Sequence, residues 1–419
     1  MKEDSPFTPG SPVPADLFIG REKTVKEILR YIGQTGSGKQ ENIFLAGDRG
    51  IGKSSLASFI RHLAVNEKNF IGTHVFLGGA STLEEVVRCA LEHILKTSKT
   101  QNIYGKITDL FGDLRKYINE VGAFGISVSF NPPPEQLHHL VLNFADAISG
   151  ILEKIKEEQK SGLILILDDI NGLTETPDFA NWYKSLTDHI ATHYKDFPLL
   201  MILIGLPQLR DRLAEKQPSL MRIFRLVDID RLSEGEVKQF FLNSFSKVNT
   251  KIQSDALDLM IKYSSGLPIF MQEIGDSIYW TDNDSFVDVK DAISGITVAA
   301  NRIGAKYLDP KVYGAIRSKT YRAILRKLGE KIGKEKWADI SNFKRKEIEK
   351  ILDEEEKPNL DNFLKKMQDL GITIADLEGG VGAYTFTNQL YPIYIMIESL
   401  EHKKRVDGPL FEKVGKTSD

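Results

Sequence analysis

The sequence predicts an α/β fold: a parallel sheet wrapped by helices, followed by a helical segment and a small α+β domain. Three observations lead there. Short, largely apolar runs recur at residues 42–46 (NIFLA), 74–77 (HVFL), 163–167 (LILIL), 199–204 (LLMILI) and 224–229 (FRLVDI). Unbroken apolar character marks strands covered on both faces. Helical patterns alternate with them at residues 54–65, 82–96, 137–159 and 181–194, which is the rhythm of a doubly wound sheet. A glycine-rich turn joins the first run to the first helix.

Composition narrows the class. The chain has 419 residues, enough for two or three domains. Hydrophobic content of 41% and charged content of 27% describe a globular chain. A formal net charge of −3 means that bulk charge does not pull the molecule onto nucleic acid. The single cysteine, Cys89, excludes an intramolecular disulfide and a Cys-rich zinc site; in its helical pattern it reads as a small buried residue. No apolar run reaches the ~18 residues of a spanning helix. Residues 1–14 lack the apolar core of a secretory signal. A cytoplasmic chain without membrane contact is expected.

The punctuation suggests five segments. Residues 1–15 carry Ser5, Pro6, Pro9, Gly10, Pro12 and Pro14 and read as a flexible tail. Residues 16–230 hold the αβ alternation. Within them, residues 124–130 (FGISVSF) alternate and end in three prolines, which reads as part of an inserted β-hairpin or as a half-buried surface loop. Residues 231–300 are helical: Ser233 and Glu236 form a capping-box-like start, and helices are expected over 237–245, 252–263 and 268–279. Residues 310–400 predict helices at 313–328, 343–352 and 360–370, then two short strands at 372–377 and 384–387 across a glycine-rich turn. Three helices and a hairpin in that order are winged-helix-like. Residues 401–419 form a charged tail, expected to fray.

The chemistry concentrates at Gly47-Asp48-Arg49-Gly50-Ile51-Gly52-Lys53-Ser54, which fits G-x-x-x-x-G-K-[ST] at every fixed position. A strand precedes it and a helix follows, as a phosphate-binding P-loop requires. The glycines let backbone N–H groups turn toward phosphates, and the helix aims its positive end at them. Ser55 lies in the first turn of that helix and joins the expected phosphate contacts. Lys53 is expected to neutralise the terminal phosphates, and the Ser54 hydroxyl to ligate Mg2+. Residues 163–167 run into Asp168 and Asp169, placing two carboxylates at the carboxyl edge of the sheet, where ligands of open α/β folds sit. Asp168 is expected to order the magnesium shell and Asp169 to orient or deprotonate the attacking water. No Asn-Lys-x-Asp guanine reader occurs in the chain, so the expected ligand is ATP.

These residues resemble the STAND class of P-loop ATPases and the related AAA+ initiator-type ATPases. Phe18-Ile19-Gly20-Arg21-Glu22 is similar to the F-x-GRE segment that precedes the P-loop in those families. The resemblance implies that Ile19, Gly20 and Arg21 lie against the adenine and ribose. Gly266-Leu267-Pro268 resembles the G-x-P motif of a STAND helical lid, which implies that Pro268 packs near the nucleotide. Residues 199–204 followed by Gly205-Leu206-Pro207 resemble a sensor strand, but without the Asn or Thr that many AAA+ proteins carry. Gly-x-Pro stands where an initiator more often has a sensor arginine. Both departures point toward STAND, in which ATP binding shifts a lid and slow hydrolysis resets the switch. Arg222 and Arg225 are candidates for a trans-acting arginine finger, or for plain surface arginines.

The C-terminal domain is open to two partners, double-stranded DNA or a protein. Its would-be recognition helix carries Lys365 and Lys366 but also Asp361 and Asp369, and follows an acidic run at residues 353–356. Basic residues gather instead at Arg317, Lys319, Arg322, Arg326 and Lys327 and at Lys344, Arg345 and Lys346. A nucleotide-dependent homo-oligomer is a further expectation. His138 and His139 are adjacent and do not share a helix face, so they do not make a metal pair.

Overall fold

A computed structural model describes residue 2 and residues 4–121, 127–308, 312–334, 342–376 and 379–407. The chain divides into two compact units, Pro12–Asp230 and a second made of Met1–Ser11 with Arg231–Asp419.

The first unit contains α1 (Glu22–Gly36), β1 (Glu41–Ala46), α2 (Lys53–Lys68), β2 (Ile71–Phe76), α3 (Leu83–Thr100), α4 (Tyr104–Asp109), β3 (Ile118–Val121) and β4 (Ser127–Phe130). It continues through α5 (Pro134–Leu142), α6 (Phe144–Glu157), β5 (Leu163–Asp168), α7 (Asp178–His193), β6 (Leu199–Gly205), α8 (Pro207–Lys216) and β7 (Arg225–Asp228). The five apolar runs all become strands of one parallel sheet in the order β2-β5-β6-β1-β7. Every residue of β1, β5 and β6 is buried, which is why those runs lack polar alternation.

Some local expectations shift. The helix expected over 137–159 is two helices that meet at Asn143, whose side-chain amide donates to the His139 carbonyl (2.9 Å) and closes the first. Helix α1 was not anticipated; its buried stripe of Ile28, Tyr31, Ile32 and Thr35 has helical spacing. The hairpin reading holds for residues 127–130, where β4 pairs antiparallel with β3; residues 124–126 lie outside the described residues. Glu92 of α3 accepts a hydrogen bond from the Phe130 N–H (3.2 Å), and the Phe130 ring meets Phe111 edge-on.

The second unit contains α9 (Glu234–Lys247), β8 (Lys251–Ile252), α10 (Ser254–Ser264), α11 (Pro268–Thr281), β9 (Phe286–Val287) and α12 (Val289–Ile303). Then come α13 (Lys319–Ile332), β10 (Asn342–Lys344), α14 (Arg345–Glu349), α15 (Leu360–Asp369), β11 (Thr373–Ala375), β12 (Ala383–Phe386) and α16 (Leu390–Asp407). Capping boxes open α9 at Ser233 and α12 at Asp288. The helix expected over 343–352 begins instead as β10, because Phe343 is buried and stacks on Tyr384 across the antiparallel pair with β12 (5.6 Å between rings). The three strands lie in the order β10-β12-β11. Residues 401–407, expected to fray, continue α16; residues 408–419 lie outside the described residues. Helix α16 crosses α13 closely enough that a Cβ on Gly329 would fall 2.1 Å from the Ser399 hydroxyl.

The N-terminal tail is the largest correction. Phe7 is 3% exposed and sits among aromatic rings, 5.1 Å from Phe245 and 5.9 Å from Phe240. It fits because residue 275 is glycine; a Cβ there would lie 2.2 Å from the Phe7 ring. Lys2 pairs with the buried carboxylate of Asp282 (2.6 Å). The prolines prevent regular structure, but one aromatic side chain and one ion pair still anchor the segment. Phe7→Ala is expected to destabilise the second unit by about 3 kcal/mol, as for burying-site Phe→Ala changes generally; denaturant unfolding followed by fluorescence measures it, and an unchanged midpoint would mean the segment contributes nothing.

Candidate functional site

Strand β1 lies between β6 and β7, with Ala46 opposite Gly205 on one side and Asp228 on the other. The chain therefore leaves β1 at the carboxyl edge of the sheet and turns at once into the loop of residues 47–52. The turn needs its glycines. Gly50 and Gly52 adopt φ of +75° and +91°, conformations that cost L side chains strain. A Cβ on Gly47 would lie 2.9 Å from the Ile51 side chain and 3.2 Å from the Ile229 carbonyl. Asp48 and Arg49 are exposed at the tip, and Ile51 is buried beneath it. Helix α2 begins at Lys53 with Gly52 as its N-cap, and no side chain caps it. Its first N–H groups are thus left to whatever occupies the loop.

Lys53 reaches back over the loop and donates to the Gly47 and Asp48 carbonyls (2.8 Å each). Burial pushes its pKa below the usual lysine value, against the opposing pull of Asp168, Asp48 and Asp169. A base whose pKa is lowered by folding is penalised in its charged form, so at any pH below the ordinary lysine range this ammonium costs the folded state stability. An anion placed beside it would remove that cost.

Asp168 ends β5, is 4% exposed, and stands in register with Phe76. His74 of β2 shares that face and places its Nε2 2.9 Å from Asp168 Oδ2. The imidazole is itself stacked on Phe76 (4.4 Å between rings). Asp169 is exposed and has φ of +63°, a left-handed conformation uncommon outside glycine, though Asp tolerates it better than most. The Asn171 amide donates to its carboxylate, and Gly78 leaves room beside it: a Cβ there would lie 3.3 Å from Asp169 Oδ2.

The lead-in segment also reaches this loop. Gly20 and Arg21 both have positive φ (+81° and +60°). That double turn directs the Arg21 guanidinium to the Ile51 carbonyl, inside the loop, and toward the Asp230 carbonyl (3.5 Å). Phe18, one residue before the half-buried Ile19, stacks on Phe59 of α2 (4.3 Å). Ser55 uses its hydroxyl to accept the Val13 N–H (3.2 Å), which leaves its O–H free to donate. Arg225, a finger candidate, pairs with Glu41 (3.3 Å) and lies over the Tyr31 ring, at the start of β1 rather than at its loop end. Pro268 belongs to the second unit, where it is the first residue of α11; Gly266 before it has φ of +67°.

Sequence reasoning missed His74 and the Arg21 clasp on Ile51. The first depends on β2 lying beside β5, and the second on how the lead-in segment folds back over the loop; the sequence shows neither contact. The thiol of Cys89 is half-buried and its pKa is raised by desolvation, in keeping with a structural residue. Among the described residues no cluster of three or more His, Cys, Asp or Glu side chains could hold a metal by itself.

Residues 17–191 match the family described as the AAA ATPase domain. Structurally, the chain is similar to the ORC2 protein of Aeropyrum pernix in ADPNP–ADP complexes, with 13% identity, coverage of 96% of this chain and 97% of that one, and a TM-score of 0.55. It is also similar to a Walker-type ATPase of Pyrococcus abyssi, with 16% identity, coverage of 90% and 96%, and a TM-score of 0.49. The first unit has an AAA+-type P-loop fold. No curated protein matches the chain. In this AAA+-type core the P-loop, the strand-end carboxylates and the clasping arginine meet at one edge of the sheet. No helix among the described residues is long and apolar enough to cross a membrane.

Gly47→Ala is expected to disrupt the loop while leaving the sheet intact, because the added methyl meets Ile51 and the Ile229 backbone. Calorimetry with ATP should show affinity lower by on the order of 10-fold or more, a loss of about 1.4 kcal/mol, with unchanged circular dichroism; unchanged affinity would mean the loop accommodates the methyl.

Proposed function

We propose that the chain binds ATP with Mg2+ at this loop, hydrolyses it slowly, and acts as a nucleotide-dependent switch of STAND or AAA+ type. The observation that carries the reading is the Lys53 ammonium, partly desolvated over an uncapped helix N-terminus beside Asp168. That arrangement calls for a polyanion. The donor set also fits the metal: the Ser54 hydroxyl at the start of α2 and the Asp168 carboxylate at the end of β5 are the hard oxygen ligands magnesium takes. When bound, the ion supplies positive charge across the terminal phosphates.

The chain's own residues do the rest. Backbone N–H groups of residues 50–55 bind the phosphates, and Lys53 exchanges its loop carbonyls for phosphate oxygens. Asp169, held by Asn171 outside the buried face, accepts hydrogen bonds from the attacking water and orients it. Ile19, Gly20 and Arg21 place the base and ribose against the loop that Arg21 clasps. The Gly266–Pro268 turn belongs to the lid that senses the nucleotide.

The C-terminal effector is read as winged-helix-like and DNA-binding, supported by its strand order and by exposed Arg317, Lys319, Lys344, Lys346 and Lys350. Arg322 does not belong to that surface, because its guanidinium donates to the Tyr313 and Ile316 carbonyls. A second reading, a protein partner, is favoured by charge pairing within the domain. Arg345 is held by Asp361 and Glu349, Lys327 by Asp353 and Glu356, and Lys331 by Glu347. The outer face of α15 is near neutral, and Ile374 and Val381 are exposed.

One paired experiment separates these readings: ATP turnover and duplex-DNA binding measured together on the full chain. Asp169→Asn should retain ATP and lose turnover on the order of 100-fold, the scale of a lost general base. Duplex binding should fall steeply with salt and disappear when Arg317, Lys319, Lys344 and Lys346 become Glu. Turnover without low-salt DNA binding, with or without ATP, favours the protein-partner reading; unchanged turnover in Asp169→Asn removes the assigned role of that residue.

A further inference from the structure

We propose that His74 is a positioning residue for the metal-ordering carboxylate: its Nε2–H fixes Asp168 so that the other carboxylate oxygen faces the magnesium shell. The inference rests on the reading of Asp168 given above and goes beyond it.

The geometry is specific. His74 and Phe76 sit two residues apart on β2 and so point to the same face of the sheet. His74 is in register with Ile166, two residues before Asp168 on β5, so Asp168 lies on that face too, one diagonal step away. The side chains of His74 and Asp168 are 8% and 6% exposed. Among the described residues, the Nε2–Oδ2 contact at 2.9 Å is the one side-chain hydrogen bond that Asp168 makes. Phe76 covers the imidazole face at 4.4 Å with 19° between planes. The ring is thereby restrained by stacking, and the carboxylate by the ring.

A buried carboxylate with a single side-chain donor has one oxygen committed and one available. An ionised carboxylate accepts through both oxygens, so the His74 bond removes a rotational freedom without removing the ligand. Partners of this kind orient metal ligands, and their loss typically costs about 10- to 100-fold in metal affinity or activity. An apolar strand facing Asp168 would have left the carboxylate buried without a donor, which is costly. His74 therefore meets a structural need and sets the direction of a ligand at once. The test must separate those two roles.

The probe is ADP titrated into the full chain with EDTA and then with increasing Mg2+, followed by calorimetry. His74→Leu fills the site without a donor; His74→Gln restores an N–H. In wild type, Mg2+ should tighten ADP binding. His74→Leu should raise the half-saturating Mg2+ concentration about 10-fold or more, with ADP affinity in EDTA unchanged. His74→Gln should recover most of the loss. A Mg2+ dependence like wild type in His74→Leu, with that dependence lost in Asp168→Asn, overturns the role of His74 and leaves Asp168 standing. An equal loss with and without Mg2+ also overturns it, since a merely structural residue would do that. If His74→Leu does not fold, His74→Ala takes its place as the donor-less variant: a raised half-saturating Mg2+ concentration that His74→Gln recovers supports the proposal, and a wild-type Mg2+ dependence in His74→Ala contradicts it. A wild-type chain that binds ADP identically with and without Mg2+ removes the reading of Asp168, and the inference with it.

Discussion

The first unit is organised around one partly desolvated charge. Lys53 stands at the first turn of a helix that no side chain caps, partly withdrawn from water and held by two loop carbonyls. Carbonyl dipoles solvate an ammonium less well than water or phosphate does, so the arrangement is poised for a stronger partner. The parallel sheet holds the loop at the edge where β1 ends, and the neighbouring strands bring Asp168 to the same edge. Arg21, turned inward by two positive-φ residues, clasps the loop from the other side.

What the sequence made legible follows from locality. The phosphate loop could be read because its glycines, lysine and serine are consecutive and its flanking elements are strongly patterned. Strands β1, β5 and β6 could be read because burial on both faces leaves nearly unbroken apolar runs, and Asp168 because it ends one of them; β7 buries one residue of its four and shows a weaker run. His74 could not be read, since its meaning depends on β2 lying beside β5. Helix α1 was overlooked although its buried stripe has helical spacing. Strand β10 hid inside a helical pattern because three residues are too few for period-two alternation to register; the stacking of Phe343 on Tyr384 decides it. The N-terminal segment misled for a different reason. Prolines report on backbone regularity and say nothing about one aromatic ring finding a glycine-lined slot.

The second unit shows how charge counting from sequence overstates an electrostatic surface. Several of the basic residues gathered around α13 and α14 are paired with carboxylates of the same domain or donate to backbone carbonyls. A side chain so engaged contributes little net field to a phosphate backbone. The exposed cations Arg317, Lys319, Lys344, Lys346 and Lys350 lie on α13, β10, α14 and the residues flanking those helices. The choice between nucleic acid and protein therefore turns on a small number of side chains.

The central claim is that the loop of residues 47–54 and the Asp168 carboxylate together hold a metal triphosphate. A crystal structure of the chain grown with a non-hydrolysable ATP analogue and Mn2+ tests it most directly. The account predicts anomalous density for manganese between the Ser54 hydroxyl and Asp168, with Lys53 moved from the Gly47 and Asp48 carbonyls onto phosphate oxygens. Analogue bound elsewhere, or Lys53 still on its carbonyls with the loop empty at saturating analogue, would contradict it.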